Sequence, residues 1–321
     1  MSLEFNWVLP TSGDGHGRFE AAERNGLAAF RYERREAEPE YLVQVAQAAE
    51  WAGFNAAILP GGPAFDDGWL TAAALAQSTS SLKFLVDVEP GIELPAYTAQ
   101  KVATLQTFTA NRLLLRLAQP ASAAQYAGYG DFEPAASRQH RSAEFLRVLR
   151  EVWSGPGRDF DGEHYHVRQG GLTTPLGVPP AIYVDAVAVA DEAVLAPHAG
   201  VYVFTSETPQ DVAQAVTRLR KIDRPSGTPL RFGLRAQITA RASESDAQGR
   251  ARSLQSTGPL AEVTRTGTRP AHAIHLVGSY AQVAAQLRAY ADAGVTSFAL
   301  TAPPHLEEAF RTGENLLPLL H

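Results

Sequence analysis

A few groups of residues have the types and spacing for chemistry. Asp14 and His16 stand in Leu9–Gly17, a nine-residue stretch with three glycines and two hydroxyls. A bare turn needs one or two such residues, whereas a site carried on a loop can use them all. Together they read as an acid–base pair, as two ligands of a metal site that would need three or four, or as a polar loop with glycine hinges. Arg235 lies inside an apolar run, Phe232-Gly233-Leu234-Arg235, where a guanidinium needs a carboxylate partner or an anionic ligand. His305 precedes Glu307 and Glu308 at the start of a helical run. The two acids suit the positive end of the helix dipole, and the histidine sits at a strand–helix junction.

Two other groups read as structural. His164-x-His166 would place both rings on one side of a strand, but Asp161-Gly162 marks a hairpin turn beside it. Asp66-Asp67 are adjacent residues at a helix start, where Asp caps free N–H groups. No Gly-x-Ser-x-Gly elbow, no phosphate-loop motif and no Gly-x-Gly-x-x-Gly opening the first helix is present.

The elements that must position these residues alternate. Strands are expected at 5–9, 54–59, 82–88, 112–118, 181–184, 200–204, 230–239 and 297–301. Helices are expected at 39–51, 69–77, 96–108, near 142–153, around 188–195, and at 209–221, 244–254, 278–293 and 306–317. A hairpin is expected at 158–167. If the short run His275–Val277 only introduces its helix, the chain holds eight strand–helix pairs, which predicts an α/β (β/α)8 barrel in a single domain, 1–321. In such a barrel the reactive face is at the C-terminal ends of the strands, which is where Asp14, His16 and His305 fall.

Composition narrows the function. The chain has 321 residues, a net charge of −6, 45% hydrophobic residues and no cysteine. Disulfides, thiolate nucleophiles and cysteine-ligated zinc are excluded. No dense basic run supports nucleic-acid binding, and no apolar run approaches a membrane span. The first residues carry no secretory pattern, so a cytoplasmic protein is expected.

Several stretches together carry a family resemblance. They are Trp7-Val8-Leu9-Pro10-Thr11 with Gly13-Asp14-Gly15-His16, Ile58-Leu59-Pro60, Leu82-Lys83-Phe84-Leu85-Val86, and Ala103-Thr104-Leu105 before Asn111-Arg112. Further along come Phe160-Asp161-Gly162-Glu163-His164-Tyr165-His166-Val167-Arg168, Arg231-Phe232-Gly233-Leu234-Arg235, Leu276-Val277-Gly278 and His305-Leu306-Glu307-Glu308-Ala309. Over nearly its whole length the chain resembles the flavin-dependent alkanesulfonate monooxygenases of the bacterial luciferase-like superfamily.

The resemblance implies a TIM-type barrel that uses reduced FMN from a separate flavin reductase and oxygen to release sulfite from a sulfonate. It also implies a homodimer or homotetramer. By resemblance, Arg235 and Arg269 would hold the substrate anion, since a guanidinium offers fixed donors to a tetrahedral oxyanion. His16 and His305 would supply polar contacts. Trp7, Pro60, Arg116, Arg138 and Asp185 would fall around the flavin. A deazaflavin is the weaker cofactor reading.

The chain departs from the family pattern at Phe65, Gln237, Pro303, Arg116 and Gln139, and at Asp185-Ala186-Val187-Ala188, the turn that would receive the FMN phosphate. A carboxylate ~4 Å from a phosphate charge costs on the order of 4 kcal/mol at an effective dielectric near 20. These departures keep a second reading open, a non-catalytic barrel paralogue that has lost the flavin site and serves as a partner subunit or binding protein.

Overall fold

A computed structural model describes residues 2–14, 17–18, 31–32, 35–63, 65–118, 123–186, 192–205, 207–224, 227–257 and 273–320. Eight parallel strands close into the expected barrel: β1 (Glu4–Val8), β4 (Ala56–Leu59), β5 (Lys83–Val88), β6 (Leu113–Leu117), β9 (Ile182–Asp185), β10 (Val201–Phe204), β11 (Arg231–Arg241) and β13 (Ser297–Thr301). The pairing of β13 with β1, Phe5 opposite Phe298, completes the ring. Short antiparallel pairs lie outside it: β2 (Gly17–Arg18) with β3 (Arg31–Tyr32), and β7 (Arg158–Asp161) with β8 (His166–Gly170).

The helices are α1 (Pro39–Trp51), α2 (Gly68–Leu75), α3 (Pro95–Phe108), α4 (Ala123–Gly128), α5 (Ala135–Trp153), α6 (Glu192–Leu195), α7 (Pro209–Leu219), α8 (Glu244–Thr257), α9 (Tyr280–Asp292) and α10 (His305–Asn315). Pro39 opens α1 at a position where its missing N–H costs nothing. Gly53, at φ +86°, follows its end in the left-handed conformation that glycine tolerates. Asp67 caps α2 by accepting from Leu70 N at 2.9 Å, as its position predicts. Among the described residues, no helix is long and apolar enough to cross a membrane.

Helix α4 has no counterpart in the sequence reading, and two further elements depart from it markedly. Helix α5 begins at Ala135 rather than near Ser142, because its first turns carry Arg138 and His140 on a partly exposed face that breaks the apolar period. The run 275–277 is part of a ninth strand, β12 (Ile274–Ser279). Strand β10 ends opposite Leu234, and β12 takes its place beside β11 from Ala236 onward. The unusual length of β11, eleven residues, lets it serve both neighbours in turn.

Alternation along each strand makes two cores. Outward-facing Phe5, Trp7 and Phe298 join the large layer between barrel and helices. Inward-facing Ile58, Leu85, Tyr183, Val201 and Val203 fill the barrel axis. Phe298 is fully buried and stacks on Phe5 at 5.5 Å. Phe298→Ala is expected to cost ~3–5 kcal/mol in urea unfolding, the usual range for emptying a buried phenyl site; a loss under about 1 kcal/mol would mean that the layer collapses around the gap.

Candidate active site at the barrel mouth

On four of the strands, β5, β6, β9 and β11, an inward position near the C-terminal end of the barrel is charged rather than apolar. Asp87 on β5 and Arg116 on β6 are directly opposite in register. Arg116 donates to Asp87 in bidentate fashion, Nε to Oδ1 and Nη2 to Oδ2, both at 2.6 Å. Arg235 on β11 donates through Nη2 to Oδ2 of Asp185 on β9, and the same oxygen lies 3.8 Å from Arg116 Nη1. Four strands thus contribute an alternating belt of two carboxylates and two guanidiniums. Burial works against each arginine's charge, but Asp87 and then Asp185 hold Arg116 above its ordinary value. Burial leaves Arg235 below its ordinary value, with Asp185 offsetting it in part.

Beneath the belt is a cavity of about 10 Å³, space for a single water. Asn6, Tyr183 and Ser297 line it together with Asp185, Arg116 and Arg235. The second Asp185 oxygen, Oδ1, is buried and has no hydrogen-bond partner among the described residues. The hydroxyls of Thr11 and Thr205, just past the ends of β1 and β10, are likewise buried and unpartnered among the described residues. Gly61 closes the other side, its N–H donating to Asp87 Oδ2 at 2.7 Å. A Cβ there would sit 3.0 Å from Asp87 Cβ and 3.1 Å from Glu89 Oε1, so a side chain at this close approach would press on both carboxylates.

A second cluster forms the wall beside β1 and β13. Asp14 pairs with His305 and not with a neighbour in its own loop. Its Oδ1 accepts from His305 Nδ1 at 2.9 Å, and Oδ2 from the His305 backbone N–H at 2.6 Å. Tyr41 O–H donates to Oδ2 at 2.5 Å. Burial opposes the Asp14 charge, yet the bonds from His305 and Tyr41 hold its carboxyl below the usual range. Thr301 Oγ1 lies 3.0 Å from the remaining His305 nitrogen, Nε2. Glu307 and Glu308 each gain an arginine, Arg35 and Arg241 respectively. Sequence reasoning assigned these acids only to the dipole.

Glu89, at the end of β5, is the other titratable group of the mouth. Burial first, then repulsion from Asp87 and Glu93, push its carboxyl up to about 7.

The structure sorts the expected site residues. Arg116, Asp185 and Arg235 meet in the belt, and Pro60 follows the last residue of β4, half-buried at the rim. Arg138 stacks on the Tyr126 ring at 3.8 Å on the α5 side. Trp7 does not face the mouth. Its odd position on β1 turns it outward, fully buried against Phe54, with Nε1 donating to His305 O at 3.2 Å. It supports His305 from behind and cannot touch a cofactor. Asp185 is directed into the barrel, where it meets Arg235. Arg235 is engaged by Asp185 rather than held open for an anion. His16 and Arg269 lie outside the described residues.

His166 is exposed on Asp161 at 2.6 Å while His164 belongs to the turn, and no metal-binding cluster occurs among the described residues. Sequence reasoning missed Asp87, Glu89, Tyr41 and Thr301. Asp87 had a signal, a charge inside an apolar strand like Arg235. Tyr41 and Thr301 had none, because only the fold brings them to Asp14 and His305.

Comparison with known proteins agrees with this architecture. The family model described as luciferase-like monooxygenase matches residues 4–297. Among solved structures, a riboflavin lyase (RcaE) with modified FMN and riboflavin superposes with a TM-score of 0.83 at 14% identity, covering 100% of this chain and 91% of that one. EDTA monooxygenase (EmoA) from Chelativorans sp. BNC1 gives 0.81 at 16% identity, over 100% and 93%. The coenzyme F420-dependent tetrahydromethanopterin reductase from Methanopyrus kandleri gives 0.73 at 15% identity, over 100% of both chains. At such identities these structures establish the fold.

Two outcomes test the site's electrostatics. Arg235→Ala strands Asp185 and should cost about 3–5 kcal/mol in chemical unfolding, whereas the double change to leucine at 185 and 235 should cost clearly less; equal losses would show that the pair is not coupled. Asp14 has a depressed native pKa, so its stabilisation exists above the unfolded value near 4 and disappears as pH falls through the native one. The stability gap between wild type and Asp14→Asn should therefore be open at pH 7 and shrink below about pH 4; a gap that does not vary with pH would remove this linkage.

Proposed function

The chain belongs to the luciferase-like monooxygenase family, and from that premise we propose that it is a monooxygenase using reduced FMN supplied by a separate flavin reductase. The observation that carries the reading is the direction of Asp185. Its carboxylate is neutralised inside the barrel by Arg235, with Arg116 close by, so the expected repulsion of a phosphate at the turn after β9 is relieved.

The described residues fit a flavin at the mouth. Arg116 and Arg235 keep 12% and 14% of their side chains exposed there. Guanidinium donors suit the carbonyl-bearing edge of an isoalloxazine. The unpartnered hydroxyls of Thr11 and Thr205 are further polar groups at the strand ends. Arg138 would hold the phosphate and Pro60 would lie against the ring. When bound, reduced FMN supplies the electrons that activate oxygen for transfer to a substrate.

The chain's own groups do the rest. The belt fixes the floor of the site and excludes bulk water from the barrel axis. His305, oriented by Asp14, is the group able to hold or move a proton at Nε2. The substrate is read as a small molecule, and sulfonates are the first class to try. A sulfonate would have to draw Arg235 from Asp185, with Arg269 as the second cation. Self-association as a homodimer is read from Leu70, Leu94 and Tyr97, at 74%, 68% and 59% exposure on and beside α2 and α3. A helix apolar all round, such as α2, needs cover on its outer side.

Anaerobic titration with reduced FMN, followed by tryptophan fluorescence, tests the reading. Saturation at micromolar concentration is expected, with Arg138→Ala weakening it about tenfold, ~1.4 kcal/mol. No binding up to about 1 mM, or ~4 kcal/mol of affinity, would overturn it. Binding of a deazaflavin in place of FMN would correct the cofactor.

A further inference from the structure

The wall beside the belt contains a complete hydrogen-bonded chain that the belt does not use. The Asp14 side chain has no solvent exposure and accepts three hydrogen bonds, from Tyr41 O–H, His305 N–H and His305 Nδ1. An ionised carboxylate is acceptor-only, so the proton of that last bond resides on Nδ1. The basic nitrogen of neutral His305 is therefore Nε2, which faces Thr301 Oγ1.

Thr301 shares the inward face of β13 with Ser297 and Ala299, two residues that line the internal cavity. It stands one layer above them, level with Gln237 of β11. Its hydroxyl contacts His305 Nε2 from that inward strand position.

A threonine hydroxyl has one proton, so its direction depends on the charge of His305. With His305 neutral, the O–H donates to Nε2. With His305 protonated, Nε2–H donates to Oγ1, and the threonine proton is free to point into the mouth.

We propose that Thr301 and His305 form a proton relay to the molecule bound at the mouth, with Asp14 setting the imidazole tautomer and Tyr41 as the positioning residue that holds Asp14. The relay rests on the reading of this mouth as the reactive site. In the transfer, the Nε2 proton passes to Thr301 Oγ1 as the threonine's own proton passes to an anionic oxygen of the bound molecule. His305 is left neutral, the hydroxyl is restored and no electron moves. Solvent returns the proton to Nε2.

The charged and titratable groups around His305 are consistent with this role. Asp14 faces it from the loop after β1, and Tyr41 stands behind Asp14 on α1. On α10, Glu307 is bound by Arg35 through bonds of 2.5 and 3.1 Å, and Glu308 by Arg241 through bonds of 2.8 and 3.0 Å. Arg35 also donates to Tyr41 at 3.3 Å and lies 5.3 Å from its ring centre, which fixes the phenol. With Glu307 and Glu308 engaged, Asp14 is the carboxylate in direct contact with the imidazole. Tyr41 draws charge from Asp14 Oδ2, and its loss would leave Asp14 a stronger partner for the imidazolium.

Long-range proton–nitrogen NMR of the cofactor-free protein reads this directly. Wild-type His305, when neutral, is expected to be protonated at Nδ1. Tyr41→Phe should move the Nδ1 proton resonance downfield, as removal of a competing donor from Asp14 strengthens its bond to the imidazole. A wild-type ring protonated at Nε2, or an unmoved Nδ1 proton in Tyr41→Phe, would overturn the positioning role.

The hydroxyl is tested by the pH dependence of reduced FMN binding. Wild type and Thr301→Ser should both show a break at the His305 midpoint, and Thr301→Val should lose it. A break retained in Thr301→Val would overturn the relay. Absence of reduced FMN binding by wild type at every pH would instead remove the flavin reading, and would overturn the relay as a device for that ligand while the NMR result still decides Tyr41.

Discussion

The structure depends on the neutralisation of charge inside a closed barrel. Arg116 and Arg235 point into a space with room for one water, where an unpaired guanidinium would face a penalty of several kcal/mol. Asp87 and Asp185 remove that penalty, and they can do so only if four strands stand in register. The belt is therefore a constraint on the barrel as much as a feature of it. A slip of one residue in β5 or β9 would turn its carboxylate into the apolar layer under the helices.

That constraint shapes the mouth. The belt closes the barrel axis from below and leaves two guanidinium faces at the floor. Gly61 lets the Asp87 carboxylate come up against backbone there, its N–H donating to Oδ2. The wall has a different origin. Asp14 from the first strand's loop meets His305 from the last helix, so the site spans the same seam, β1 to β13, that closes the barrel. Trp7 reinforces it by holding the His305 carbonyl from the outer side. The candidate site and barrel closure thus share residues, and each carboxylate of the wall is fixed by two or more donors.

The charge pattern also refines what a ligand would meet. Arginines chosen for their affinity for anions are already paired with aspartates, and Glu89 adds an acid whose neighbours repel its ionisation. The mouth is a balanced dipolar surface rather than a basic funnel. An anionic ligand there would have to compete with two carboxylates for the guanidiniums.

Strand and helix periods made the eight barrel units legible, because each element buries one face and shows it every second or every third to fourth residue. Helix α1 falls on its expected residues, with Pro39 at its start and Gly53 beyond its end. Local chemistry also placed Asp67 as a cap and marked Arg235 as a residue in need of a partner. What no local pattern contained was the identity of partners. Asp14 lies beside His16 in sequence but binds His305, 291 residues away. Trp7 belongs to a motif at the mouth, yet strand alternation turns it into the outer core. Asp185 was placed near a phosphate by chain position and is inside the barrel by side-chain direction. Composition and period determine which elements form and which faces they bury, since those depend on near neighbours along the chain. The pairing of charges depends on closing the ring of strands, which brings residues from opposite ends of the chain within one hydrogen bond, and only the tertiary structure decides that.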